Sequence, residues 1–478
     1  MPEENSWSDN KNEPELDPLS SFLSEWEDPE DEEEEFRSDF FQGIEGRRSK
    51  AAFLLIAVWG VVVTLHLVSW GFWLVMSLTG ILVVYFLRLM LAKADPMPSM
   101  LRDDQLADAP MVSLLVAAKN EEAVIDRLVK ILCNLDYPGD RYEVWFIDDA
   151  SDDRTPEILD TLALQYPQLR VVHRPVGAGG GKSGALNQVL PKTKGEIIAV
   201  FDADATVDAD LLRRVVPMFD DENMGAVQVR KAIANANENF WTKGQRAEMA
   251  LDCYFQQKRI AIGGMGELRG NGQFVRRKAL ASCGGWNEQT ITDDLDLTIR
   301  LHLDRWDIGC SLFPAVNEEG VTKAISLWHQ RSRWAEGGYQ RYLDYWRLIV
   351  SNRMGFTKTW DLLTFVLIHY LLPTAAIADF AMVLVRHHWP ILGILSSCAI
   401  AFSTICTFIG LYRVKNPEQF NFKDVLRLGG ESLLGTFYLS HWFFVMPVTT
   451  ARMSVRPKRL KWVKTTHQGV VQEGLKAS

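Results

Sequence analysis

Ile197-Ile198-Ala199-Val200-Phe201-Asp202-Ala203-Asp204-Ala205 is the stretch on which the fold turns. Five consecutive apolar residues are short for a helix and suit a strand buried on both faces. Such a strand ending in two carboxylates reads as the carboxyl end of a strand in an open α/β sheet, where ligands bind. Outward from it, short β-branched runs at Val112 to Val116, Tyr142 to Ile147, Leu169 to His173, Glu196 to Phe201 and Gly225 to Val229 alternate with helical stretches. That alternation predicts a doubly wound, mostly parallel sheet between Pro110 and about Trp346.

The residues just past each run carry the candidate chemistry. Asp202 and Asp204, one residue apart on extended chain, point the same way. They can face one hard cation, Mg²⁺ or Mn²⁺, shared with a substrate's phosphates. The first run ends in Lys119-Asn120-Glu121-Glu122 and the second in Asp148-Asp149-Ala150-Ser151. A carboxylate at a strand end can accept from a base N–H or a ribose hydroxyl, and the same residues also suit helix capping. After the third run, Gly177-Ala178-Gly179-Gly180-Gly181-Lys182-Ser183 misses the P-loop pattern, because Val176 stands where that pattern needs glycine. A glycine turn opening a helix with a lysine still offers backbone N–H groups and an ammonium to a diphosphate. Downstream, Thr292-Asp293-Asp294 opens a helix, and Gln330-Arg331-Ser332-Arg333-Trp334 lies on a predicted amphipathic helix with Trp328 and Trp346. Arginine and tryptophan in that setting suit a membrane interface.

The flanks are of another kind. Ala51 to Trp70 has no charge and Gly71 to Ala92 only Arg88, each long enough to cross a bilayer about 30 Å thick. The turn is expected at Ser69-Trp70-Gly71. Arg47, Arg48 and Lys50 before this hairpin, with Arg88 and Lys93 after it, predict that both ends and the soluble middle face the cytoplasm. Trp360 to Val385 holds Asp361, His369 and Asp379, while Trp389 to Tyr412 is uncharged, so both are read as spans. Residues 428–450 carry Glu431 and His441, and a fifth crossing there would separate two basic segments. Four spans with a re-entrant or interfacial segment at 428–450 are expected, followed by a basic cytosolic tail at 453–478.

Composition fits this mixed organisation: 478 residues, 47% apolar and 23% charged, with mean hydropathy −0.05. The net charge of −10 misleads, since residues 1–46 hold 17 acidic against two basic residues. That segment reads as a disordered acidic tail. The six cysteines form no C-x-x-C pair, which speaks against a zinc site or a disulfide framework. Basic residues cluster beside apolar spans, so anionic lipid is a nearer partner than nucleic acid.

In order, the D-D strand end, Gly181-Lys182-Ser183-Gly184-Ala185-Leu186-Asn187, the D-x-D, the triplet Thr292-Asp293-Asp294 and Gln330-Arg331-Ser332-Arg333-Trp334 resemble the family 2 glycosyltransferases. That group includes cellulose, chitin and hyaluronan synthases. The resemblance implies a GT-A-type sheet domain at 110–346, between a transmembrane hairpin at 47–92 and interfacial and transmembrane helices at 347–452. It implies that Asp149, with Asp148 and Glu121, holds the uridine of a UDP-sugar, and that Lys182 touches its phosphates. Asp202 and Asp204 would sit at the sugar and the metal. Asp294 would be the base of an inverting displacement, although this chain has Asp293 where the family's triplet has glutamate, which leaves either carboxylate as base. Gln330, Arg333 and Trp334 would frame the acceptor and the departing diphosphate.

Length, the acidic N-terminus, the leading hairpin and the stretches Gly270-Asn271-Gly272-Gln273 and Gly284-Gly285-Trp286 are similar to family members that glucosylate diacylglycerol. That implies transfer of glucose from UDP-glucose to 1,2-diacylglycerol in a cyanobacterial membrane. The alternative within the family is a processive polysaccharide synthase, for which four or five spans are few helices to build a sugar-conducting pore. A binding-only regulator would be expected to lose the base or the tryptophan, and Asp294 and Trp334 are both present. Oligomeric state is left open.

Overall fold

In the computed structural model, residues 46–94, 96–415 and 421–455 are described. The acidic tail expected at 1–46 and most of the basic tail at 453–478 lie outside them. Seven strands form one sheet in the order β3-β2-β1-β4-β6-β5-β7. They are β1 (Val112–Ala118), β2 (Tyr142–Asp148), β3 (Leu169–His173), β4 (Ile197–Phe201), β5 (Met224–Ile233), β6 (Gln273–Arg276) and β7 (Asp307–Glu318). β1 pairs in parallel with β2 and β4, β2 with β3, and β5 with β7. β6 alone runs antiparallel, between β4 and β5.

All five expected strands are present. β6 escaped the sequence reading because it has four residues, and β7 because Gly309 and Pro314 break its apolar pattern. Alternate residues serve opposite faces, as a pleated strand requires. Val112, Leu114 and Val116 pack beneath the helices Ile125–Leu132 and Thr155–Ala163, while Leu115 packs with Leu186, Leu297 and Leu301 on the other face. The helix Gly181–Val189 and the helix Asp293–Leu303 cover that second face, so both deliver their first turns to the carboxyl end of the sheet.

Four helical stretches are long and apolar enough to cross a membrane: Arg47–Leu67, Gly71–Leu91, Phe356–Arg386 and Gly393–Lys415. Their outward side chains, such as Phe53, Trp73, Val84 and Phe380, are exposed, which suits helices that face lipid. The charges inside the third stretch are paired. Asp361 accepts from Arg259 Nε at 2.9 Å and from the Tyr85 hydroxyl at 2.6 Å, and Asp379 lies 2.6 Å from His66 Nε2. Residues 428–450 fall on two helices, Phe422–Leu439 and Trp442–Val455, broken at Ser440 and His441. Neither belongs to the four.

The sheet domain is joined to these helices by packing and by buried charge. The helix Ala324–Val350 contributes Tyr339, Tyr342 and Tyr345 to a cluster with Ile299, Leu362, Tyr370 and Met446. Beside it, fully buried Arg259 donates to Glu267 at 2.7 Å as well as to Asp361, and Glu267 also accepts from Arg269 at 2.6 Å and Arg341 at 3.3 Å. Arg259 ends the long helix Phe240–Ala261, which starts where Asn239 Oδ1 accepts the N–H groups of Trp241 and Thr242.

Candidate active site

The site lies where β4 stops. Asp202 donates its N–H to Asn271 Oδ1 at 3.2 Å, which leaves its side chain at the mouth with 42% exposure. Asp204 is buried, and its Oδ2 accepts the Glu319 N–H at 3.0 Å just beyond β7. Lys182, from the first turn of Gly181–Val189, places Nζ 2.5 Å from Asp202 Oδ1. Burial lowers the affinity of Lys182 for its proton, but Asp202, Asp293 and Asp294 outweigh it and push the ammonium above the ordinary lysine range. Lys182 is therefore a fixed cation facing three carboxylates.

Asp293 and Asp294 open the helix Asp293–Leu303. Burial, then repulsion from Asp293, pushes the Asp294 carboxyl up to about 6, against the pull of the Leu295 N–H, Lys182 and Lys231. A Cβ at Gly270 would stand 3.4 Å from Asp294 Oδ2, so that glycine forms the wall beside it. Arg333 faces the same carboxylates: burial lowers its proton affinity while Asp202 and Asp294 raise it. The helix carrying Arg333 comes close because Gly337 has no side chain, since a Cβ there would meet Thr292 Oγ1 at 2.2 Å. Lys182, Asp202, Asp293, Asp294 and Arg333 thus converge from four elements.

Gln330 and Trp334 share that helix and are held by Arg331. Arg331 is fully buried, donates to Gln330 Oε1 at 2.7 Å, and stacks its guanidinium 3.9 Å from the Trp334 ring centre. It also donates to Glu248 and to the Tyr438 hydroxyl, so Gln330 and Trp334 are tied to the broken helix pair at 422–455. Lys231 Nζ lies 5.3 Å from the Trp334 ring centre and pairs with Glu318 at 3.0 Å.

The proposed nucleotide end gathers at β1, β2 and the glycine turn. Glu121 is buried, with its N–H donated to Thr155 Oγ1 at 2.9 Å. Asp148 is also buried: one oxygen accepts the Ser151 N–H at 3.1 Å and the other lies 3.0 Å from His173 Nδ1, so it shapes the loop that presents Asp149. Asp149 pairs with Arg174, which also donates to Gly179 O at 2.6 Å and Gln188 Oε1 at 3.0 Å. One arginine therefore locks the D-D loop to the glycine turn. At Gly180, φ is +79° and a Cβ would stand 2.3 Å from Glu288 Oε2, so only glycine fits. Asn187 buckles the same region, donating to Trp286 O and Glu288 Oε1, both at 2.8 Å.

Sequence reading passed over Arg174, Lys231, Glu248 and Tyr438, and it quoted Asn271 and Arg331 within motifs without giving either a role. Arg174 directly follows β3, where the strand-end rule applies, and Asn271 sits in a glycine-flanked stretch. Glu248 and Tyr438 carry no local signal, because only the tertiary contact joins them.

Residues 113–284 match the family model described as Glycosyl transferase family 2. The chain is 59% identical over 471 residues, 98% of each chain, to the Beta-monoglucosyldiacylglycerol synthase of Synechocystis sp.. The protein belongs to glycosyl transferase family 2. A second synthase of that name, from Trichormus variabilis, is 58% identical and covers 97% of this chain and 99% of its own. Among solved structures, this glycosyltransferase is similar to the mannosyltransferase PcManGT from Pyrobaculum calidifontis, solved with GDP-Man and Mn2+, with TM-score 0.50 and 19% identity over 85% of this chain and 99% of that one. That likeness concerns the GT-A fold.

The donor set suits a divalent cation supplied together with a substrate. Asp202 and Asp204 offer oxygen ligands, and among the described residues no group of three or more His, Cys, Asp or Glu side chains could hold a metal by itself. A hard cation that draws its remaining ligands from phosphate and water fits such a pair.

Proposed function

We propose that this glycosyltransferase moves glucose from UDP-glucose to the free hydroxyl of 1,2-diacylglycerol with inversion, giving β-monoglucosyldiacylglycerol. The nearly full-length identity to synthases of that name supports donor sugar and acceptor. The observation that carries the chemistry is Asp294, a carboxyl pushed up to about 6 between Lys182 and Arg333. A base poised near neutral pH can take a hydroxyl proton and hold it through the displacement.

The acceptor oxygen attacks C1 of glucose as its proton passes to Asp294. The bond from C1 to the UDP oxygen breaks, and UDP departs with the electron pair. Lys182 and Arg333 face the charge that develops on the leaving diphosphate. Asp202 and Asp204 would hold Mg²⁺ or Mn²⁺, which when bound neutralises diphosphate charge as a Lewis acid. Glu121, Asp148, Asp149 and Arg174 frame the uridine end, and Gln330 and Trp334 the acceptor end. The catalytic domain would face the cytoplasm in a multi-pass protein, a reading supported by the basic residues beside the leading hairpin. Diacylglycerol would then enter laterally from that leaflet.

Purified protein given radiolabelled UDP-glucose, Mg²⁺ and diacylglycerol should yield one discrete lipid-soluble product on thin-layer chromatography, dependent on diacylglycerol. Label retained at the origin as polymer would overturn the lipid reading. Asp294→Asn should lower transfer by roughly 100- to 10,000-fold while UDP binding persists. Loss of UDP binding in that variant would instead make Asp294 structural.

A further inference from the structure

The second membrane stretch ends beside the carboxyl end of the helix Phe240–Ala261. Between them lies an apolar cleft of about 630 Å³, lined by Val84, Leu87, Leu91, Ala92, Ala261 and Ile262, with Arg88 in its wall. Arg88 lines the cleft, Lys258 bonds to the backbone of lining residue Ala92, and Arg413 adjoins Lys258 at the Tyr254 ring. Exposed Arg88 donates to Ile262 O at 3.3 Å, Lys258 Nζ to Ala92 O at 2.5 Å, and Arg413 to Gln257 Oε1 at 2.8 Å. Lys258 and Arg413 approach the same Tyr254 ring, at 5.5 Å and 5.7 Å from its centre. Among the described residues no carboxylate pairs with Arg88, Lys258 or Arg413, and their hydrogen bonds go to backbone carbonyls and one amide. Burial, then the Arg413 guanidinium, holds the Lys258 ammonium below the ordinary lysine range, so like charges crowd here with no anion between them.

Buried or half-buried Arg259, Arg269, Arg300 and Arg331 have carboxylate partners, whereas Arg230, Arg276 and Arg277, like Arg88 and Lys258, donate to backbone carbonyls, but as single cations inside the sheet domain and away from any apolar groove at a helix end. An uncompensated trio at the end of a lipid-facing groove calls for a ligand that is apolar along its length and anionic at its head. Diacylglycerol has no charge and cannot be that ligand. We propose that the cleft binds an anionic phospholipid, one acyl chain along Leu87, Leu91 and Ile262 and the headgroup phosphate among Arg88, Lys258 and Arg413. This site is separate from the catalytic one and depends on neither the donor sugar nor the acceptor assigned above. It adjoins the segment from Ile262 to Gly270, which carries Glu267 and ends against Asp294.

The test uses full-length protein in phosphatidylcholine nanodiscs carrying a trace of dansyl-labelled phosphatidylglycerol or dansyl-labelled phosphatidylcholine, with tryptophan-to-dansyl energy transfer reporting retention. Wild-type protein should retain the anionic probe at least about fivefold over the neutral one, the scale set by even a single well-placed cation. The triple variant Arg88→Gln/Lys258→Gln/Arg413→Gln should bring that ratio close to one. A variant with the exposed lysines Lys192, Lys243 and Lys278 changed to Gln should keep it. Ala92→Phe, which fills the cleft and leaves every charge in place, guards against a misfolded triple variant and should also lower retention. Excess inorganic phosphate should not displace the probe. No preference in wild-type protein, equal loss in the exposed-lysine variant, or displacement by phosphate would each overturn the proposal.

Discussion

At the scale of single residues, the chemistry depends on one carboxyl whose environment is arranged against its own ionisation. Asp294 is raised from 3.8 to about 6 by burial and by Asp293. As the proposed base it must be deprotonated, so kcat/KM should fall about tenfold per unit as pH drops below about 6, read from a pH–rate profile with saturating metal. Asp293→Asn removes the second-largest upward push and should move that limb to lower pH while activity persists; an immobile limb would assign it to another group. The sign for stability is opposite. A folded-state value above 3.8 means that ionising Asp294 destabilises the fold, an effect that grows as pH rises from about 4 to 6 and is complete above. Asp294→Asn should therefore raise the melting temperature at pH 7.5, with the gain vanishing toward pH 4. Asp202 and Asp294 were legible in the sequence because their chemistry lies in residue type and spacing. The raised carboxyl was not, because it depends on what packs around Asp294.

At the scale of elements, the helix Ala324–Val350 joins the candidate site to the helix pair at 422–455. It carries Gln330, Arg333 and Trp334 inward, while Arg331 beside them reaches Glu248 and Tyr438. Arg331→Met keeps the bulk but removes the cation from under Trp334 and from Glu248. It should raise the KM for acceptor roughly three- to tenfold with a smaller change in the KM for UDP-glucose, and Tyr438→Phe should give a weaker version of the same pattern. Equal effects on both substrates would point to general loosening of the helix. The Gln330 to Trp334 motif was legible in the sequence. Its partners were not, since 83 residues separate Arg331 from Glu248 and 107 separate it from Tyr438.

At the scale of the whole molecule, a buried charge network binds the sheet domain to the long apolar helices. Arg259 bridges Glu267, on the path to the site, and Asp361, inside the third apolar stretch, all three at most 1% exposed. Removing the cation leaves buried Asp361 without its guanidinium partner and takes one of three arginines from Glu267, so Arg259→Met should cost about 3–5 kcal/mol, read as a large fall in melting temperature in detergent. An unchanged melting temperature would show that the two halves are held by apolar packing alone. The sequence by itself determined the architecture that repeats with a period or a length: the five expected strands, the four apolar stretches, and the D-x-D and glycine turn at strand ends. These are local consequences of backbone geometry and bilayer thickness. Only the tertiary structure decided the short antiparallel β6, the broken pair of helices at 422–455, the Arg174 and Arg331 locks, and the Arg259 bridge. Each joins residues far apart in the chain, and the energy of such a contact exists only once burial has removed the water that would otherwise satisfy it.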